Sequence, residues 1–338
     1  MYTIGIAVPY FGKKPISYDA WEATAVANDT IDFYVFTDIS EINDNKNIHV
    51  INCTFEECRS MIQKVIDFDI CLESPYKLCD YKPTYGLAFK NWLKDYDFWG
   101  YCDLDVVLGN LRNYFTDEIL KYSDRCLENG HISLWKNNPK MNTMFKYNER
   151  GGKNYEQVYK SPDSFYFDEQ AGVFTKCLIN GAQFCAPVPL RDPMAHCDKF
   201  YYLNENQNNQ YIIYWENGKL YAVHPDRKVE LCYAHFFRRK FKAAPVCQSI
   251  YSIKIVPGFI SYNTEVVESD FDVSEENGYS RKSRIQLVRG NLKRYGLFKM
   301  ISRQIWARKS YRYIQKIRRE YSGRSKDDEN SNNNNTNL

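Results

Sequence analysis

Two aspartates, Asp103 and Asp105, stand inside an apolar stretch that runs Asp97-Phe98-Trp99-Gly100-Tyr101-Cys102-Asp103-Leu104-Asp105-Val106-Val107-Leu108-Gly109-Asn110. Side chains at i and i+2 of a strand leave the same face, so the two carboxylates converge on one ligand if the strand ends or bends there. Side by side they repel, and burial raises that cost unless a cation, a Lys or an Arg neutralises them. A divalent cation is the simplest answer. Mn²⁺ or Mg²⁺ takes hard oxygen ligands, keeps waters and shares its shell with substrate phosphates. The alternative for so short a motif is one Asp capping a turn beside a solvated one.

Three further groups carry chemistry-bearing side chains. In Ser74-Pro75-Tyr76-Lys77-Leu78-Cys79-Asp80-Tyr81-Lys82-Pro83-Thr84-Tyr85-Gly86, Lys77 and Lys82 can reach phosphates or sugar hydroxyls and Asp80 can accept hydroxyl hydrogen bonds. An ordinary loop before a helix at 84–93 would use the same residue types. Asp168 and Glu169 follow the aromatic run Phe165-Tyr166-Phe167, where one carboxylate could take the proton of an acceptor hydroxyl, or both could favour a helix N-terminus. His235 lies in the apolar run Tyr233-Ala234-His235-Phe236-Phe237. It is a hydrogen-bonded structural residue, or, with Arg238, Arg239 and Lys240 behind it, a diphosphate contact.

The surrounding pattern says what must position these groups. Apolar runs at 3–8, 31–38 and 48–52 read as strands. A helix over 19–28 and another from the capping box Thr54-Phe55-Glu56-Glu57 to about Ile66 alternate with them. Such alternation predicts right-handed βαβ units and a mainly parallel, Rossmann-like sheet, with ligands at the carboxyl ends of its strands. No Gly-x-Gly-x-x-Gly follows the first strand and there is no P-loop, which excludes a dinucleotide-dependent dehydrogenase and a P-loop nucleotide site. Further on, Thr116-Asp117-Glu118 opens a helix and 130–135 reads as a strand. The polar stretch 137–164 reads as a mobile surface segment or lid, and Glu216-Asn217-Gly218 reads as the turn of a hairpin between 211–215 and 219–223.

At 338 residues, with 28 Tyr and 20 Phe, the chain can form a sizeable core. The net charge of +3 hides an asymmetry: residues 281–326 hold 16 Lys and Arg against the single acid Glu320, so the preceding part is acidic on balance. Ile285, Val288, Leu292, Tyr295, Phe298, Ile301 and Ile305 give this basic segment an apolar stripe at helical spacing. The stripe suits an anionic membrane surface or the protein's own body, and the acidic balance of the rest argues against a nucleic-acid partner. Residues 327–338 read as a disordered tail. Eleven scattered cysteines without a Cys-x-x-Cys pair, and an N-terminal apolar run with no basic leader, lead to the expectation of reduced thiols in a cytoplasmic protein.

Taken in order, Val8-Pro9-Tyr10-Phe11-Gly12, Phe36-Thr37-Asp38, Tyr76 to Pro83, Trp99 to Asp105, Gly130-His131, Phe167-Asp168-Glu169 and His235-Phe236 resemble bacterial glycosyltransferase-like proteins of capsule and surface-polysaccharide clusters. The resemblance covers about residues 3–240. It implies an α/β fold of the GT-A type, a Rossmann-type mixed sheet flanked by helices, followed here by a basic helical extension. On that basis the expected organisation is a catalytic domain over 1–245, a connecting segment over 246–280, the extension over 281–326 and the tail. The resemblance further implies that Asp103, Asp105 and His235 hold Mn²⁺ or Mg²⁺ on the diphosphate of a nucleotide-sugar donor. It implies that Pro9, Tyr10, Asp38, Lys77, Asp80, Lys82 and Asp103 contact the donor, and that Asp168 or Glu169 is the base of an inverting transfer. The expected acceptor is a glycan on a polyprenyl diphosphate at the inner face of the plasma membrane. Two other classes compete: a non-catalytic carbohydrate-binding or scaffold protein, and a metal-dependent nucleotidyltransferase or phosphoesterase.

Overall fold

The computed structural model describes residues 1–147, 153–185, 188–191, 200, 210–236 and 241–271. The first half follows the predicted alternation. Strands β1 (Ile4–Pro9), β2 (Ile31–Thr37) and β3 (Ile48–Asn52) alternate with helices α1 (Tyr18–Val26) and α2 (Phe55–Gln63), and α2 starts at the predicted capping box of Thr54 and Glu57. With β4 (Phe98–Cys102), β6 (Arg125–Cys126) and β7 (Ile132–Lys136) they build a six-stranded sheet of order β3-β2-β1-β4-β7-β6, while β5 (Val106–Leu108) lies outside it. β3, β2, β1 and β4 are parallel, and β7 runs antiparallel to β4. This is the Rossmann-type mixed sheet with helices on its faces that the GT-A resemblance implies.

Side-chain alternation divides the core between the two faces of this sheet. Ile4, Ile6 and Val8 join Tyr18 and Trp21 of α1 on one side, while Ala7, Phe36, Trp99 and Tyr101 pack on the other against Tyr81, Tyr85 and Phe89. The helix predicted over 84–93 is broken into short turns, and the segment before it, expected as a loop, is helical in short turns too, among them α3 (Leu78–Tyr81), with Pro75 and Pro83 each at the start of a turn where a missing N–H costs nothing.

The stretch from Asp97 to Asn110 does not continue as one strand. β4 ends at Cys102, and β5 leaves the large sheet for a three-stranded one of order β5-β12-β8, formed with β8 (Leu190–Arg191) and β12 (Tyr233–His235). A third, six-stranded sheet contains the predicted hairpin, β9 (Ile212–Glu216) and β10 (Lys219–Val223), whose turn residues Asn217 and Gly218 have φ of 48° and 82°. β11 (Lys228–Leu231), β13 (Lys242–Ala243), β14 (Ser252–Val256) and β15 (Phe259–Tyr262) complete it, with β14 pairing β9. Residues 246–280 were expected to connect; their described part instead includes the β14–β15 hairpin.

The predicted lid over 137–164 is also different. Met141, Met144, Phe145, Val158 and Tyr159 are buried in the core, so the described part of this stretch is packed. The basic segment 281–326 and the tail 327–338 lie outside the described residues. Among the described residues no helix is long and apolar enough to cross a membrane.

Asn28, at the end of α1, fastens the helix to the exit of β5. Its amide donates to Thr24 O and Gly109 O at 2.9 Å each and its carbonyl accepts Leu111 N–H at 2.9 Å. Asn28→Ala leaves buried backbone groups unpaired and is expected to cost about 2–4 kcal/mol. An unchanged urea midpoint would show that the link is dispensable.

Candidate metal and donor site

The carboxyl ends of β1, β2 and β4 form one edge of the large sheet. Pro9 and Tyr10 end β1, exposed Asp38 follows β2 and Asp103 follows β4. The turn from Asp103 to Asp105 is tied by its backbone: Asp103 N–H donates to His131 O at 2.8 Å, Ser17 Oγ donates to Leu104 O at 3.1 Å, and Phe236 N–H donates to Asp105 O at 2.9 Å. β12 pairs antiparallel with β5 in a register that sets His235 opposite Val106, which brings its Nε2 to 3.5 Å from Asp105 Oδ1. Ligand atoms of Asp103, Asp105 and His235 thus lie within 4.8 Å of one another. Two hard carboxylates and one imidazole, partly open to solvent, are a donor set that fits Mn²⁺ or Mg²⁺.

Lys82 joins this cluster to the second acidic pair. Its ammonium lies 2.6 Å from Asp103 Oδ1 and 3.3 Å from Asp168 Oδ2, and donates to Gly130 O at 2.8 Å. Burial works against this charge, but Asp103 and Asp168 outweigh it and hold the Lys82 pKa well above the usual lysine range. Burial pushes Asp103 up, and the Lys82 ammonium only partly opposes it. For Asp105, burial is overcome by the hydrogen bond and charge of His235 and by Lys82, so its carboxyl sits below the usual value. Tyr10 lies close enough to be affected: burial first, then the Asp105 charge, raise its phenol.

Asp168 is 2% exposed, and burial, with Glu169, Asp103 and Asp80 adding to it against Lys82, pushes its carboxyl from 3.8 to about 7. Among the described residues its Oδ1 has no hydrogen-bond partner. Glu169, more open, is raised by burial, with Lys82, Lys153 and His235 opposing. A Cβ at position 130 would lie 2.3 Å from Asp168 Oδ2, so this approach requires Gly130.

Lys77 and Asp80 sit beneath the site. The buried Lys77 ammonium lies 2.7 Å from Asp80 Oδ2 and donates to Val158 O and Asp163 O. Asp80 also accepts Phe165 N–H at 2.9 Å and Phe167 N–H at 2.8 Å. The pair therefore holds the loop that delivers Asp168 and Glu169. Of the residues singled out in the sequence, Asp103, Asp105, His235, Lys82, Asp168 and Glu169 come together, Tyr10 is close to them, Pro9 and Asp38 share the sheet edge, and Arg238, Arg239 and Lys240 lie outside the described residues.

Two contributors were not read from the sequence. Arg125, fully buried, donates from Nη2 to Asp168 O at 3.2 Å and Tyr101 OH at 3.3 Å and stacks on Trp135, its guanidinium 4.4 Å from the ring centroid. Ser17 secures the turn through Leu104. An arginine followed by Cys126 and Leu127 is a weak signal for the first; the second carries none.

Residues 6–264 match a family of unknown function, DUF6625. The chain belongs to that family. No curated protein matches it. Among solved structures, this DUF6625 member is similar to the galactosyltransferase LgtC in complex with donor and acceptor sugar analogues, at 12% identity over 69% of this chain and 87% of that one, TM-score 0.36. An active-site mutant of LgtC is similar at 12% identity, covering 70% and 88%, TM-score 0.37. The apo form of the glycosyltransferase GlyE of Streptococcus pneumoniae TIGR4 is similar at 8% identity, TM-score 0.31; the match covers 55% of this chain and 46% of GlyE, less than half its length.

The raised Asp168 carboxyl sets a pH dependence. A carboxyl with a higher pKa folded than unfolded binds its proton more tightly in the native state, so stability falls as pH rises from the usual 3.8 to about 7. Asp168→Asn is expected to reduce that decline in urea midpoints measured across this range; an equally steep decline in the variant would exclude Asp168 as its source.

Proposed function

We propose that this protein is a metal-dependent glycosyltransferase of GT-A type, moving a sugar from a nucleotide-sugar donor to a glycan acceptor in capsule or surface-polysaccharide synthesis. The observation that carries the reading is the convergence of Asp103, Asp105 and His235 at the carboxyl edge of the sheet, next to a second acidic pair linked through Lys82. Bound Mn²⁺ or Mg²⁺ supplies Lewis-acid stabilisation of the negative charge that grows on the departing diphosphate.

The protein's own residues do the rest. Pro9, Tyr10 and Asp38 line the edge that receives the nucleotide. Lys82 holds Asp103 in place and keeps a positive charge beside the leaving group. The bond from the anomeric carbon to the diphosphate oxygen breaks, and the acceptor oxygen forms the new bond to that carbon. For an inverting transfer Glu169, the more accessible acid, receives the hydroxyl proton, with Asp168 buried behind it. Lys77 and Asp80 act from beneath, by positioning the loop of these two acids. The basic amphipathic segment 281–326 would hold the enzyme on the anionic inner face of the plasma membrane, where a polyprenyl-diphosphate-linked glycan acceptor is presented.

Purified protein incubated with a panel of nucleotide sugars, with Mn²⁺ and with chelator, is expected to hydrolyse or transfer from one donor only with the metal. Asp105→Asn should lower that turnover more than about 100-fold, exceeding the loss typical of groups that merely support a metal ligand, without unfolding the protein. Metal-independent binding of glycans with no turnover of any donor would favour the carbohydrate-binding class instead. In a second experiment, Glu169→Gln should lower transfer to acceptor about 100-fold or more while donor binding persists. Undiminished transfer would exclude Glu169 as the proton acceptor.

A further inference from the structure

His131 touches the metal-site residues from two directions. Its backbone carbonyl accepts the Asp103 N–H at 2.8 Å, and its ring lies face to face with that of His235, centroids 3.5 Å apart and planes at 20°. The Tyr233 ring meets it edge-on, with centroids 6.1 Å apart and planes at 77°. Tyr233 and His235 are i and i+2 on β12 and share a face, which is why one ring can touch both.

The β5–β12 ladder sets the height of His235 beside Asp105, whose carboxylate its Nε2 meets at 3.5 Å, but the second side-chain torsion of histidine is broad and roughly two-fold, so the plane of the ring is set by what packs against it. A face-to-face neighbour narrows that torsion. His131 Nδ1 is buried and, among the described residues, has no hydrogen-bond partner, so the ring contact rather than a bond from that nitrogen is what His131 offers to its surroundings.

We propose that His131 is a positioning residue of the metal centre: its ring face fixes the plane of the His235 imidazole, and its carbonyl fixes Asp103, so that ligands from two different sheets converge. The proposal rests on the metal-site reading above. It requires an aromatic face at position 131 and no nitrogen there.

The test is a Mn²⁺ titration of the full chain, followed by the electron paramagnetic resonance of free Mn²⁺ and by the nitrogen hyperfine signal of the bound ion, for the native protein, His131→Ala, His131→Phe and His235→Ala. The native protein is expected to bind Mn²⁺ with a nitrogen signal that is lost in His235→Ala. His131→Ala should weaken binding about 10- to 100-fold, the usual effect of removing a group that orients a metal ligand, and diminish the nitrogen signal. His131→Phe should keep both affinity and signal. Native-like affinity and signal in His131→Ala would overturn the proposal. So would a loss in a folded His131→Phe as large as in His131→Ala, because a nitrogen of His131 would then be required. If the native protein binds no Mn²⁺, the metal-site reading itself fails and this inference with it.

Discussion

A buried ammonium between two carboxylates is the interaction on which the site depends. Lys82 is 7% exposed, donates to Asp103 and Gly130 O and pairs its charge with Asp168 at 3.3 Å, so the cost of burying its charge is offset by opposite charge on two sides and a carbonyl on the third. Without it, half-buried Asp103 and buried Asp168 would be repelling carboxylates with no cation between them. With it, the end of β4, the approach to β7 and the loop before residue 170 are drawn to one point. Gly130 contributes twice, by offering its carbonyl and by having no side chain in the space that Asp168 occupies.

The turns from Pro75 to Thr84 deliver two lysines to two levels of the same structure. Lys82 reaches the acidic groups of the site, and Lys77, one turn and a half earlier, reaches the loop beneath them through Asp80, Val158 and Asp163. Arg125 supports that loop from the other side through the Asp168 carbonyl. Three buried cations therefore hold one loop and one aspartate of the candidate metal cluster. Removing any one partner of such a network leaves an uncompensated buried charge, which is costlier than losing a surface ion pair.

Much of this was legible in the sequence where the cause is local. β1, β2 and β3 follow from apolar runs, α2 from its capping box, and the β9–β10 hairpin from Asn217-Gly218, whose left-handed backbone the turn demands. Asp103 and Asp105 were legible as residue types suited to a cation, and His235 as their partner only through the family resemblance; the convergence of the three depends on the pairing of β5 with β12, a contact between segments far apart in the chain that no local spacing reveals. Lys77 and Asp80 were read as polar groups open to a donor. In the structure they are buried with protein partners, a distinction that charge alone does not carry. Residues 137–164 looked like a lid because their few apolar side chains are diluted among polar ones; Met141, Phe145 and Tyr159 nonetheless reach the core. The β14–β15 hairpin did carry a signal, the alternation of Ile253 and Ile255 before Pro257-Gly258, with Gly258 at a φ of 84°.

The central claim is that the sheet edge holds a divalent cation between Asp103, Asp105 and His235. The most direct measurement is the anomalous scattering of crystals grown with Mn²⁺, collected on both sides of the manganese absorption edge. The account predicts a single strong peak within coordination distance of all three side chains. A peak elsewhere, with these three residues bound only to one another and to Lys82, would contradict it.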